Sequence, residues 1–262
     1  MHATDTALPD TRHAVADEAA WTEARLALLA REKQLMQLHD RIAAERRALP
    51  WRRIDVARYV FDTPEGPRTL DQLFDGRRQL LVQHFMLGTD WDAGCPSCSY
   101  MADHTDGMRP HLAARDTAFV AISRAPLERI EAFQRRMGWG FRWVSSAGNR
   151  FNRDFHVSFD DEDRVDGEVL YNYHRTGFPG SEAPGISAFV RSDAGEVFLT
   201  YSTFGRGVEA MMGTYAMLDL TAFGRHERED APNKMEWVRH HDRYVPAASA
   251  ASAGGGCCHG KA

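Results

Sequence analysis

Cysteine is scarce in this chain and unevenly placed. Its 262 residues hold four, in two pairs: Cys95 with Cys98, and Cys257 with Cys258. A secreted disulfide framework spreads its cysteines through a short chain, so this clustering argues against that class and for local chemistry at two places. An excess of one charge is also missing. Thirty-two basic residues face 37 acidic ones for a net charge of -5, which gives no pull toward nucleic acid or an anionic membrane. No apolar run approaches the roughly 20 residues of a membrane span. The opening MHATDTALPDTRHAVADEAA has neither a signal-length apolar run nor a lipidation motif. These absences set the expectation of a cytoplasmic protein with no nucleic-acid or membrane partner. No internal repeat stands out. The hydrophobic content of 43% is enough for a single sizeable core.

The order of elements is read from periodicity and punctuation. Residues 1–17 are polar and read as a flexible N-terminus. Residues 18–47 read as a long amphipathic helix with Trp21, Leu28, Leu35 and Ile42 at seven-residue spacing, ended by Pro50. The segment 18–50 is expected to pack on the core, with a dimer arm as the alternative. A main domain spans 51–245. Within it, 56–61 and the apolar run 79–87 read as strands, the latter central and buried. Residues 97–113 read as helix with a break near Gly107 and Pro110. A second buried strand covers 117–123, a helix 125–137, a strand 141–145 and a short helix 149–155. Residues 168–174 look extended, 186–191 and 196–201 form a hairpin, and 207–220 a last helix. From 246 to 262 an Ala/Ser/Gly tail ends in Cys-Cys-His. The alternation of strands and helices predicts an α/β sandwich with a mixed sheet.

The strongest chemical signal is a buried strand, the loop 88–94, and then Cys95-Pro96-Ser97-Cys98 opening a helix. A cysteine at a helix start meets unpaired backbone N–H groups that favour its thiolate. A second cysteine one turn on lies near enough to close a disulfide, and Pro96 loses nothing at the first helical position. This pattern assigns Cys95 as nucleophile and Cys98 as resolving thiol, with no cofactor required. Two other uses stay open: a metal or redox-sensing module in which Cys95 and Cys98 join His104 and His111, and an inert buried pair. Trp91 and Asp92 precede the motif and are candidates for its mouth. Ser97 and Ser99 are candidates for capping the helix. His84, His104 and His111 are candidates for proton transfer. Trp139, Phe141 and Trp143 form either a substrate wall or a packed aromatic cluster. Cys257 and Cys258 are a second redox or metal-binding possibility.

With these pieces assembled, the sequence resembles the DUF899 family, described as predicted dithiol–disulfide oxidoreductases of thioredoxin-like fold. The stretches that carry the resemblance are LLVQHFMLG (80–88), GCPSCSYMADHTDG (94–107), HLAARDTAFVAISRAPLERIEAFQRRMGW (111–139), WVSS (143–146), YSTFGRG (201–207), GTYAMLDLT (213–221) and WVRHHDRY (237–244). It implies a thioredoxin-like three-layer sandwich carrying a long N-terminal helix. The implied partners are a disulfide-containing protein or small-molecule thiol or disulfide, and a reductant the sequence does not name; a homodimer stays open. Where thioredoxins keep a buried acid, this chain resembles them with Gln83 instead. Pro184 is the candidate for the proline that faces the thioredoxin cysteines in a cis peptide. Peroxiredoxins carry a Thr before their reactive cysteine; Trp91, Asp92, Ala93 and Gly94 stand here, which counts against thiol peroxidase activity, the further alternative, and for disulfide exchange.

Overall fold

The computed structural model describes residues 13–244. What the sequence suggests for residues 1–12 and for the tail, including Cys257 and Cys258, lies outside the described residues. Chain order is α1 (Glu18–Arg47), β1 (Arg52–Ile54), β2 (Val60–Phe61), β3 (Arg68–Thr69), β4 (Gln79–His84), α2 (Pro96–Ala102), α3 (Thr105–Ala113), β5 (Thr117–Ser123), α4 (Leu127–Met137), β6 (Arg142–Ser145), α5 (Phe151–Asp154), β7 (Glu168–Tyr171), β8 (His174–Gly177), β9 (Gly185–Arg191), β10 (Val197–Phe204) and α6 (Gly213–Leu218).

Six of these strands form one mixed sheet in the order β1-β10-β9-β4-β5-β6. The apolar runs at β4 and β5 pair in parallel, Leu80 with Ala118 and Val82 with Val120, and β6 adds in parallel beyond β5. The other side of β4 takes β9 antiparallel, and the β9–β10 hairpin carries β1 at its outer edge. The four inner strands, β10-β9-β4-β5, with a helix following β4, make the fold thioredoxin-like. Both crossovers move the same way along the sheet, which puts α2, α3 and α4 on one face. There Phe85, Cys98, Ala102, Phe119, Ile130 and Phe133 share a core. The opposite face buries Leu80, Val82, Val120 and Phe189 under Phe61, Phe74, Phe151 and Phe155, contributed by α5, single-turn helices and short hairpins.

Several expectations are corrected. The strand at 56–61 divides, because the Asp55 carboxylate accepts the Ala57 N–H at 3.2 Å and draws 56–58 into a 3-10 turn before β2. The helix break falls at Asp103–His104 and not at Gly107 or Pro110, both of which lie inside α3. The extended segment near 170 is half of a β7–β8 hairpin, turned by Asn172 and Tyr173 at φ 49° and 68°, the signature of a tight hairpin turn. The last predicted helix is a 3-10 segment, Gly205–Met211, followed by the short α6. Helix α1 forms over the expected residues but does not pack on the core. None of its residues is buried, and Arg46 over the Tyr201 ring at 4.4 Å ties its C-terminal end to β10. Among the described residues no helix is long and apolar enough to cross a membrane.

Candidate active site

Cys95 caps α2 from the end of the 88–94 loop, and three contacts fix that loop. The Cys95 N–H donates to the Met86 carbonyl at 3.0 Å. Arg129 on α4 donates to the carbonyls of Thr89 and Trp91 at 2.9 and 3.0 Å. Gly94 passes so close to two buried rings that a Cβ there would lie 2.6 Å from Phe85 and 2.8 Å from Phe133. The sequence therefore needs glycine at 94 to set Cys95 over the aromatic core.

The two thiols differ sharply. Cys95 is half-buried and Cys98 is 1% exposed, and both are free thiols. The Cys98 thiol hydrogen-bonds to Cys95, and with the Ser97 and Cys98 backbone N–H groups and the Ser97 hydroxyl it lowers the Cys95 pKa from 9.0 to about 7, against the opposing effect of burial. The same bond raises Cys98 well above its ordinary value, with burial, the Cys95 charge and the nearby Glu182 carboxylate adding to the effect. One proton is thus held between the pair, on the inner sulfur. Ser97 acts on the thiolate. Ser99 does not cap the helix, since its hydroxyl donates back to the Cys95 carbonyl at 2.9 Å.

The remaining predicted residues divide. Gln83 lies under α2 and donates to the Cys98 carbonyl at 3.1 Å, while its Oε1 has no protein partner. Trp91 is half-buried in the loop and Asp92 is exposed. His84 belongs elsewhere: strand alternation turns it to the other face of the sheet. There it bonds Ser187 Oγ at 2.8 Å and stacks on Phe151. Burial pushes its pKa down to about 3, so it stays neutral and is no proton relay for the cysteines. His104 has both ring nitrogens engaged, Nδ1 with the Tyr100 carbonyl at 3.1 Å and Nε2 accepting the Thr214 N–H at 3.1 Å. It splices α2 to α6. His111 is exposed on α3. Among the described residues no three His, Cys, Asp or Glu side chains are grouped to hold a metal ion, so the set Cys95, Cys98, His104, His111 is not assembled. Trp139, Phe141 and Trp143 are buried with Phe85 and Phe133. The Trp143 indole donates to Ser123 Oγ at 2.9 Å. They form the packed core of this layer and not a substrate wall. Phe141 and Trp143 do line a cavity of about 620 Å³ with Arg77, Thr117 and Arg142, but it opens at the strand N-termini, the end remote from the cysteines. Pro184 immediately precedes β9 in a trans peptide.

Residues the sequence reading missed complete the surroundings. Glu182, 1% exposed, accepts from Arg124 at 2.8 Å and from the Ser158 hydroxyl at 2.5 Å. Burial raises its pKa, and Ser158 and Arg124 oppose that rise. Tyr171 donates to the Pro184 carbonyl and accepts from the Gly205 N–H, both at 2.8 Å. Burial pushes its pKa up to about 12. His240 bonds the Gly94 carbonyl at 2.7 Å through Nε2 and faces Arg136 at 3.2 Å through Nδ1. Arg136 in turn forms a two-pronged pair with Asp242, both contacts at 2.8 Å. Next to it His241 and the Trp139 indole both meet Asp103 Oδ1, at 2.7 and 2.8 Å. The segment 237–244 is thus a strap across the start of α2. Its sequence signal is the His240-His241 doublet within WVRHHDRY (237–244).

The model of a family described as bacterial protein of unknown function, DUF899, matches residues 10–244. No curated protein matches the chain by sequence. Among solved structures, a mutant form of Peroxiredoxin Q from Xanthomonas campestris is 12% identical, over 63% of this chain and 96% of its own, with a TM-score of 0.43. Peroxidoxin BcpB from Mycobacterium tuberculosis is 15% identical, over 63% and 98%, at 0.42. A hypothetical protein from Sinorhizobium meliloti 1021 is 18% identical, over 67% and 84%, at 0.38.

Proposed function

This chain belongs to the DUF899 family, and we propose that it is a dithiol–disulfide oxidoreductase working through Cys95 and Cys98. The observation that carries the reading is the division of one proton between two thiols. Cys95 is accessible and ionised near neutrality, whereas Cys98 is buried and protonated. In the proposed cycle the Cys95 thiolate attacks one sulfur of a substrate disulfide, forms a mixed disulfide and expels the other half as thiolate. Cys98 then gives up its proton and attacks the Cys95 sulfur. The Cys95–Cys98 disulfide forms, and the second half leaves as thiolate to take a proton. Two electrons pass to the substrate, and an external thiol reductant returns them to the protein. The substrate class is a protein disulfide or a small-molecule disulfide, which must reach Cys95 at the edge of the 88–94 loop. No metal takes part in this reading.

The test is trapping. Cys98→Ala protein treated with glutathione disulfide is expected to hold one glutathione on Cys95, while the wild type passes through that adduct to the internal disulfide. Peptide mass mapping locates the adduct. Absence of an adduct on Cys95 would overturn the proposal. Oxidation of the wild-type pair by hydrogen peroxide at least tenfold faster than by any disulfide would replace it with thiol peroxidase activity.

A further inference from the structure

Helix α1 presents an apolar stripe that no other part of the described residues covers. Trp21, Leu28, Leu35 and Ile42 recur every seventh residue and are 61%, 50%, 61% and 41% exposed. Ala24, Arg31, Leu38 and Glu45 fall three residues after each of them, on the same side of the helix. The Arg25–Glu32 ion pair, at 2.8 Å, lies on the neighbouring flank and leaves the stripe clear. A solvated 30-residue helix gains little from propensity alone and relies on packing of such a face.

We propose that α1 pairs with α1 of a second copy of this chain as an antiparallel coiled coil. The charges select the direction. Parallel pairing would set Arg31 against Arg31 and Glu45 against Glu45 inside the seam. It would also lay the acidic end (Asp17, Glu18, Glu23) beside its twin and the basic end (Arg41, Arg46, Arg47) beside its twin. Antiparallel pairing resolves each conflict. Leu28 meets the partner's Leu38, Ala24 meets the partner's Ile42, Arg31 spans the partner's Leu35, and Trp21 covers the partner's Glu45. Acidic ends then lie along basic ends, and the helix dipoles oppose. The large apolar side chains of the stripe would remove roughly 1,000 Å² from water across the pair, the level at which a specific interface holds. Because α1 joins its domain at the C-terminal end, the two dithiol domains sit at opposite ends of the shared rod.

Sedimentation equilibrium of the full chain at tens of micromolar is expected to show a dimer. The Leu28→Glu/Leu35→Glu variant changes only exposed positions and is expected to be monomeric with an unchanged Cys95 titration. Direction is read by pulsed dipolar spectroscopy with a spin-labelled unnatural amino acid at position 20. Antiparallel helices separate the two labels by roughly 40 Å at 1.5 Å per residue, and parallel ones bring them within about 15 Å. A monomeric wild type, a variant that stays dimeric, or the short distance would each overturn the proposal.

Discussion

The pH profile of Cys95 alkylation tests the thiol pair most directly. A thiol with pKa 9.0 is about 1% ionised at pH 7, and one at about 7 is half ionised, a gain of roughly 50-fold in thiolate. Lowering the pKa also weakens the thiolate as a nucleophile. With a Brønsted coefficient near 0.45, two units cost about eightfold. The net result is reaction about sixfold faster than an ordinary thiol at pH 7 and about fourfold slower at pH 9, approaching eightfold slower at higher pH, the two curves crossing near pH 8. Iodoacetamide labelling, read by peptide mass spectrometry so that each cysteine is followed separately, gives the curve. Half of the Cys95 plateau is expected at about pH 7. Because the Cys98 thiol is the largest cause of the lowering, Cys98→Ala is expected to move that midpoint upward. A wild-type midpoint near 9, or a midpoint unmoved in Cys98→Ala, would refute the reasoning.

Four further outcomes follow from the same geometry. The midpoint potential of the Cys95–Cys98 couple is expected to fall by about 60 mV per pH unit below pH 7 and about 30 mV above it, since reduction takes up two protons below the Cys95 pKa and one above; redox titration against glutathione at several pH values measures the break. Gly94→Ala pushes a methyl into Phe85 and Phe133, and is expected to cost about 1–3 kcal/mol in urea unfolding while raising the Cys95 midpoint. His240→Ala leaves the Gly94 carbonyl without its side-chain donor, and the same unfolding measurement should show a loss of about 1–3 kcal/mol. Glu182→Gln removes one of the two carboxylates that Arg124 faces and leaves it Asp160; the expected loss is about 1–3 kcal/mol, and labelling of Cys98 should begin at lower pH than in the wild type.

The central strands were legible because a strand buried on both faces must be apolar almost throughout, as 80–82 and 118–122 are. The dithiol was legible because its parts are contiguous: strand, loop, cysteines and helix follow one another from Gln79 to Ala102. What the sequence concealed is whatever depends on meeting across distance. The carbonyl of Gly94 and the ring of His240 are 146 positions apart, and no local pattern distinguishes His240 from the exposed His241. His84 misled for a related reason. A histidine at the end of the strand that leads to the motif looks available, but period-two alternation sends it to the far face, where burial keeps it neutral. For α1, periodicity identified which face is apolar and said nothing of what covers it; the expected packing on the core is reduced to the contact of Arg46 with Tyr201 at its C-terminal end, and none of its residues is buried.

Gln83 and Glu182 show how the missing pieces bear on the proposed chemistry. The strand position beneath α2 carries an amide, which holds the Cys98 carbonyl and takes no part in ionisation. The carboxylate near Cys98 comes instead from the loop before β9 and is paired with Arg124. A charge there raises the Cys98 pKa, so on its own it opposes resolution. Its effect depends on the state of Cys95. While Cys95 is a thiolate, its hydrogen bond and its negative charge both hold the proton on Cys98. Once Cys95 is bound in a mixed disulfide, both causes disappear together; burial and Glu182 are the raising causes that remain, and the Met86 backbone opposes them. The Cys98 pKa therefore drops at the step that requires its thiolate and is high at the step that does not. In the proposed cycle this order keeps the resolving thiol protonated until there is a mixed disulfide to resolve.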